Sequence, residues 1–279
     1  MIHPKTTINC AGKLLDLSRP VVMGILNIND DSFYRGSRVT GIEKILETAG
    51  QMLAEGAAIL DIGGMSSRPG AVVIDADEEL ERVLPAIETI HREFPDAILS
   101  IDTIRSKIAR EAVAAGASIV NDISAGKFDA DLYPTLAELQ VPYVLMHMQK
   151  RPENMQEAPV YENVVQEILD FLIREVDALR QLGVKDIVID PGFGFGKSVE
   201  HNYEILRSLH VFQMLDVPIL AGISRKSMIS KPLGVNSEHA LNGTTALHMI
   251  ALQQGARILR VHDVAPAMEV IKLWELLKG

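Results

Sequence analysis

Two apolar patterns alternate along the chain. Short continuous apolar runs, too brief for a helix, recur between longer stretches whose apolar residues return every three or four positions. The runs are VVMGILN (21–27), AILDI (58–62), AILSID (97–102), SIVND (118–122), PYVLMH (142–147), DIVID (186–190), PILAG (218–222) and RILRVH (257–262). Each predicts a strand buried on both faces, as in a parallel sheet. Four share a signature in which a glycine precedes the run and a polar residue ends it: EGAAILDIG (55–63), AGASIVND (115–122), LGVKDIVIDPG (182–192) and QGARILRVHD (254–263). The glycine suits a helix C-cap in the left-handed region. Between the runs, Ile42, Ile45, Leu46, Ala49, Met52 and Leu53 predict a helix over 41–55, and Val165, Ile168, Leu169, Leu172, Val176 and Leu179 predict another. Asp75 and Glu78 have capping-box spacing. Strand–helix alternation repeated eight times points to the α/β class and a closed (β/α)8 TIM barrel rather than an open doubly wound sheet. The segment INCAGKLLDL (8–17) reads as an N-terminal hairpin closing the barrel bottom.

Composition narrows the picture. At 279 residues, 47% of them hydrophobic, the chain is expected to form one barrel domain over residues 1–279. Its single cysteine, Cys10, excludes an intramolecular disulfide and fits a reducing compartment. MIHPKTTINC has neither the charged nor the apolar region of a signal peptide, and no apolar run approaches the roughly 18 residues of a membrane span, so a cytoplasmic protein is expected. The net charge of −10, with no basic stretch, argues against nucleic-acid binding. An anionic substrate must then be held by a few local cations.

In such a barrel the chemistry sits at the C-terminal ends of the strands. Here those ends carry Asn27, Asp61, Asp102, Asn121 with Asp122, His147, Asp190, and Arg260 with His262, and the seventh run is followed by Ser224-Arg225-Lys226. Any one of these residues commonly caps a helix or starts a turn; their convergence on one rim favours a pocket. Arg260, His262, Arg225 and Lys226 follow the last two strands, where barrels bind phosphate. Asp102, Asn121 and Asp190 suit a flat nitrogen heterocycle with amino and lactam edges. The loop DPGFGFGK (190–197) satisfies neither a dinucleotide nor a phosphate-loop motif, and is expected to bring backbone and Phe195 to a planar ligand. Met146 is expected beneath a ring, whereas Met148 reads as ordinary core. Arg68, in an RPG turn, reads equally as a rim ligand and as a solvated charge. Zinc spacings and a Ser–His–Asp elbow are absent.

Taken together, MGILN…DSF (23–33), DIGGMSSRPG (61–70), SIDT (100–103), NDIS (121–124), LMHMQ with PENMQ (145–156), DPGFGFGK (190–197), SRKS (224–227) and RVHDV (260–264) resemble the dihydropteroate synthase family of pterin-binding barrels, over about residues 20–275. The resemblance implies condensation of a pterin-methyl diphosphate with 4-aminobenzoate, releasing diphosphate. By position it implies that Asp102, Asn121, Asp190 and Lys226 hold the pterin with Met146 on its face. Arg260, His262 and Ser67 would meet the diphosphate, Asn27 would coordinate Mg2+, and Phe33, Arg68, Pro69 and Ser227 would shape the 4-aminobenzoate pocket where sulfonamides compete. Catalysis would fall to Asp102, Lys226, Arg260 and His262, in a homodimer formed through later-half helices. The chain departs from the family pattern at Asn29, Asp30, Tyr34 and Arg35 of the first loop, and has Met65 where the family usually has Glu. Two alternatives stand beside this reading: a corrinoid-type methyltetrahydrofolate methyltransferase, and a pterin-binding paralogue without catalysis.

Overall fold

The computed structural model describes residues 6–28, 38–65, 74–149 and 159–278. It opens with β1 (Thr7–Cys10) and β2 (Lys13–Asp16), an antiparallel pair in which Cys10 faces Lys13. The two residues between them, Ala11 and Gly12, both have positive φ, 51° and 94°, so the turn follows the twist of its strands. Asn9 Oδ1 accepts the Gly12 N–H at 2.7 Å and holds the turn closed.

Eight parallel strands follow: β3 (Val21–Asn27), β4 (Ile59–Gly63), β5 (Ile98–Asp102), β6 (Ile119–Asp122), β7 (Tyr143–Met146), β8 (Ile187–Asp190), β9 (Leu220–Ala221) and β10 (Ile258–Val261). Their spatial order is β8-β7-β6-β5-β4-β3-β10-β9, and a parallel bridge between Ile189 and Ile219 joins the two ends into a barrel. All eight predicted strands are present. The seventh is the shortest because Pro218 has no N–H and contributes only its carbonyl, to Ile189 N. Around the barrel lie α1 (Arg38–Ala54), α2 (Ala76–Glu93), α3 (Ser106–Ala114), α4 (Leu132–Leu139), α5 (Val164–Gln181), α6 (Val199–Arg207), α8 (Leu241–Gln253) and α9 (Val264–Lys278), with a short α7 (Ser227–Leu233) inserted after β9. Asp75 caps α2 by accepting from Glu78 N, but the Glu78 carboxylate turns to Arg82, so only half of the expected capping box forms. The full box is at α6, between Ser198 and His201.

Side-chain parity along the strands divides the core. Val22, Leu60, Ile62, Leu99, Ile101, Val120, Leu145, Ile187, Ile189, Leu259 and Val261 face the helices and join the large outer core. Their alternates Met23, Ile59, Ile98, Ile119, Val144, Val188, Leu220 and Ile258 fill the barrel floor, together with Ile8, Cys10, Leu15 and Leu17 of the hairpin. The hairpin therefore closes the bottom as expected. Burial, and then the nearby Asp186 carboxylate, pushes the Cys10 thiol up to about 12, leaving it an unreactive member of that floor.

Candidate active site

Stepping two residues up each strand from the apolar floor keeps the side chain inside the barrel. From Ile59 the step reaches Asp61, from Ile119 Asn121, from Val188 Asp190, from Ile258 Arg260 and, after two steps from Ile98, Asp102. Parallel register sets Asn27 beside Gly63, Gly63 beside Asp102, and Asp102 beside Asn121. A polar layer thus lies directly over an apolar floor.

Its centre is Arg260. The guanidinium donates from Nε to Asp61 Oδ2 at 2.6 Å and from Nη2 to Asp102 Oδ2 at 2.8 Å. Asn121 Nδ2 donates to the same Asp61 oxygen at 2.9 Å. Asp61 Oδ1 is buried without a partner among the described residues. Burial raises the Asp102 pKa to about 7; Arg260 opposes the shift, while Asp61 and Asp122 add to it. Asp190 is buried on the opposite wall, where its Oδ1 accepts from Gly192 N at 2.7 Å. Burial raises its pKa too, against the pull of Lys226. A side chain at Gly222 would begin 3.5 Å from Asp190 Oδ2 and 3.7 Å from Lys226 Nζ, so the glycine leaves these two groups open to one space. Burial brings the Lys226 ammonium down to about 8. It donates to the Phe193 carbonyl and sits 4.5 Å from the centre of the Phe195 ring.

That ring belongs to a small apolar cluster with Ile104, Ile123, Met146 and Met148, joined by partly buried Met65 and Phe128. Met148, read as ordinary core, is buried in the same apolar cluster as Met146 and Phe195. Met65, at the departure from the family pattern, packs on the same wall. Asn27 and His262 are exposed at the strand ends, and Ser227 is exposed at the start of α7. Ser224 braces His262: its Oγ lies 3.1 Å from Nδ1 and accepts the His262 N–H at 3.2 Å. Phe33, Ser67, Arg68 and Pro69, with the first-loop positions Asn29, Asp30, Tyr34 and Arg35, lie outside the described residues.

Three polar strand-end residues belong elsewhere. Asp122 and His147 have outward parity. Asp122 accepts from Ser124 N at 2.6 Å, Gly126 N at 2.8 Å and Tyr143 OH at 2.7 Å, which organises the β6–α4 turn. His147 packs edge-on to Phe171, and burial, with Lys197 and Lys127 nearby, brings its pKa down to about 2. Arg225, expected among the anion ligands, is committed to structure. It makes a two-pronged pair with Asp263 at 2.7 Å and donates to the carbonyls of Ser237 and Glu238. Sequence reasoning gives two residues no specific role: Asp61, counted only among the polar strand ends, and Lys197. Asp61 bridges Asn121 and Arg260, and its strand-end position was the available signal. Lys197 is 3% exposed, and burial brings its ammonium down to about 7. The sequence reading of the glycine-rich loop assigns its backbone and Phe195 and gives the lysine that ends it no role.

Comparison with known proteins gives the family. A family model described as "Pterin binding enzyme" matches residues 23–262. The chain is 43% identical to the dihydropteroate synthase of Haemophilus influenzae, over 94% of this chain and 96% of that one. It is 42% identical to the Escherichia coli enzyme of the same name, over 95% and 94% of the two chains. Among solved structures, Xanthomonas albilineans dihydropteroate synthase with 4-aminobenzoic acid superposes with a TM-score of 0.90 at 40% identity, covering 98% of each chain. The Yersinia pestis enzyme in a sulfonamide drug complex gives 0.91 at 39% identity, covering 98% of this chain and 99% of that one.

Proposed function

The chain belongs to the pterin-binding enzymes, among the dihydropteroate synthases, and from that premise we propose how its own residues carry the reaction. The reaction joins a (7,8-dihydropterin-6-yl)methyl diphosphate to 4-aminobenzoate. The bond from the exocyclic methylene to the ester oxygen breaks, diphosphate leaves with the electron pair, and the amine nitrogen bonds to the methylene and loses a proton. The product is 7,8-dihydropteroate, the compound bound in another Xanthomonas albilineans structure, at 39% identity and a TM-score of 0.87.

The observation that carries this reading is the inward polar layer. It sets Asp102, Asn121 and Asp190 over an apolar floor and beside a wall of Met146 and Phe195, with Arg260 among them. Carboxylates and an amide offer the acceptors and donors that an aminopterin edge and its lactam require. Lys226, beside Asp190, adds a donor to the ring edge. Arg260 and His262 face the leaving diphosphate, and Arg260 supplies a two-pronged donor. Asp102 carries negative charge next to the methylene as cationic character grows there, which stabilises the transition state over the ground state.

Mg2+ fits the site as an ion shared with the substrate. Asn27 presents a neutral amide oxygen at the barrel mouth, and Mg2+ is commonly held by one or two protein oxygens plus phosphates and water. When bound it supplies charge neutralisation at the diphosphate. Ser67 and Arg68, with Phe33, Pro69 and Ser227, are assigned to the diphosphate and 4-aminobenzoate side, where sulfonamides would compete.

We further infer a homodimer and a cytoplasmic location. Exposed Leu233, Val235, Ile250, Leu273 and Leu276 support a subunit contact on α7 to α9. No helix among the described residues is long and apolar enough to cross a membrane. The testing experiment is diphosphate release from the pterin ester with and without 4-aminobenzoate. Release that depends on 4-aminobenzoate and yields dihydropteroate supports the reading. A barrel that binds pterin without turnover, or that transfers a methyl group from methyltetrahydrofolate, contradicts it.

A further inference from the structure

The inward layer explains how the substrate edges are met; it leaves open what holds the glycine-rich wall in place. Residues 191–197 have little regular backbone bonding of their own. Gly192, Gly194 and Gly196 all have positive φ, 74°, 84° and 62°. A side chain on Gly192 would begin 1.9 Å from the His147 carbonyl oxygen, so the loop touches the end of β7 backbone to backbone. Its main internal tie is Phe195 N to Gly192 O at 3.1 Å.

Lys197 fills that gap. Its ammonium donates to the carbonyls of Gly192 and Phe195, each at 2.9 Å, and of His147 at 3.2 Å, and lies 3.1 Å from His147 Nδ1. None of these hydrogen-bond partners is a carboxylate. A buried lysine whose direct acceptors are all neutral, with Asp190 acting on it only through space, costs more to desolvate than an apolar residue of similar length, so packing alone gives no reason for it. What the lysine does uniquely is gather three carbonyls that converge from two segments. The same loop then presents two features to the site. The Phe193 carbonyl accepts a hydrogen bond from Lys226, and the Phe195 ring stands 4.5 Å from the Lys226 ammonium within the Met146 wall.

We propose that Lys197 is a positioning residue for pterin binding: it ties the 191–197 loop to the end of β7 and so sets Phe195 and Lys226 against the ring. The proposal rests on the pterin-site reading above. It places a functional constraint on a side chain that touches no substrate, because it acts through the carbonyls of its own loop. His147 becomes the outer anchor of the same device, which accounts for a buried neutral imidazole at the end of β7.

The test is calorimetric titration of 6-hydroxymethylpterin into wild type, Lys197→Met, Phe195→Leu and the double variant. Inorganic diphosphate is titrated in parallel, and each protein is melted. Lys197→Met should raise the pterin Kd by about tenfold or more, a difference of about 1.4 kcal/mol. Its diphosphate affinity should stay within about twofold, since Arg260 and His262 sit on other strands. In the Phe195→Leu background the lysine change should cost clearly less than in wild type, because part of its effect passes through that ring and the rest through Lys226. Lys197→Gln, which keeps two N–H donors, should fall between wild type and Met and carries the test if the Met variant does not fold. Unchanged pterin affinity in a folded Lys197 variant overturns the proposal. So do fully additive losses in the double variant, or equal losses for pterin and diphosphate. Wild type that fails to bind the pterin would instead overturn the site reading beneath it.

Discussion

Asn121 and Asp122 are neighbours at the end of one strand, yet they belong to two different regions. Asn121 points into the barrel and joins Asp61, Asp102 and Arg260; Asp122 points out and fastens a turn to Tyr143. Both side chains are buried, both are polar, and the separation is one step of a period-two pattern. The inward region is under tension: Asp102 resists ionisation, Lys226 is pressed toward neutrality, and Asp61 keeps an unpartnered oxygen. The outward region is better satisfied, with three donors converging on Asp122. Burial raises the Asp122 pKa as well and lowers that of outward His147, so shifted titration alone does not separate the regions. The unpartnered Asp61 oxygen marks the site that will receive a ligand, and the completed hydrogen bonds of Asp122 mark the scaffold.

The sharpest way to break this contrast is Arg260→Ala. It leaves Asp61 and Asp102 without their shared counter-charge, and breaking such a buried pair costs about 3–5 kcal/mol. The same variant should weaken the pterin diphosphate ester far more than the bare pterin alcohol, because only the ester brings the charge that Arg260 meets. Denaturation and calorimetry on both ligands check the two halves. Equal losses for ester and alcohol would make Arg260 a structural cation only.

On the outward side, Tyr143→Phe removes one donor from buried Asp122, which should cost roughly 1–3 kcal/mol of stability. Turnover per folded molecule should hold. A fall in turnover of the folded fraction would carry Asp122 into the functional region.

The pH profile sharpens the comparison from the inward side alone. Asp102 carries its negative charge above about 7 and Lys226 its positive charge below about 8. kcat/KM of the free enzyme should therefore be bell-shaped, with its maximum between those values. Asp102→Asn should flatten the acid limb and Lys226→Gln the alkaline one, which rate measurements across pH would read. A flat wild-type profile from pH 6 to 9, on the order of one decade either side, excludes both assignments. The smallest effect belongs to a site remote from both regions: Asp75→Ala removes the cap of α2 and should lower stability by about 1 kcal/mol without changing kcat.

Much of this arrangement was legible beforehand. Apolar runs bounded by glycine and a polar residue specify strands and their direction, and eight of them in alternation leave few topologies other than a barrel. The strand-end residues Asp102, Asn121, Asp190 and Arg260 stood out because charge at the end of a buried strand needs a reason. Parity did not stand out at β6 and β7. Where two polar residues sit side by side, or where a histidine follows Met146, the end of the strand is not marked and neither is the face. Arg225 and Lys197 were obscure for a related reason. Arg225 reads as an anion ligand until its acceptors are seen, here Asp263 and the carbonyls of Ser237 and Glu238. Lys197 stays without a role until the His147 carbonyl, 50 residues away, is found beside it.

The central claim is that the inward layer does chemistry while its outward neighbours hold shape, and paired charge removal tests it most directly. Asp102→Asn and Asp122→Asn each exchange a buried carboxylate for an amide of the same size, and both are measured for kcat and for unfolding free energy at pH 8. For Asp102 the folded pKa is raised, so its carboxylate is most favourable to the fold when protonated, below about 4. That contribution is lost as pH rises from about 4 through about 7. At pH 8 the Asn variant should thus be no less stable than wild type, yet its kcat should fall about a hundredfold or more. Asp122→Asn should turn over at near wild-type rate while losing roughly 1–3 kcal/mol, because its amide cannot accept from all three donors. The reverse pattern, a stable but inactive Asp122 variant beside an active Asp102 variant, would contradict the account.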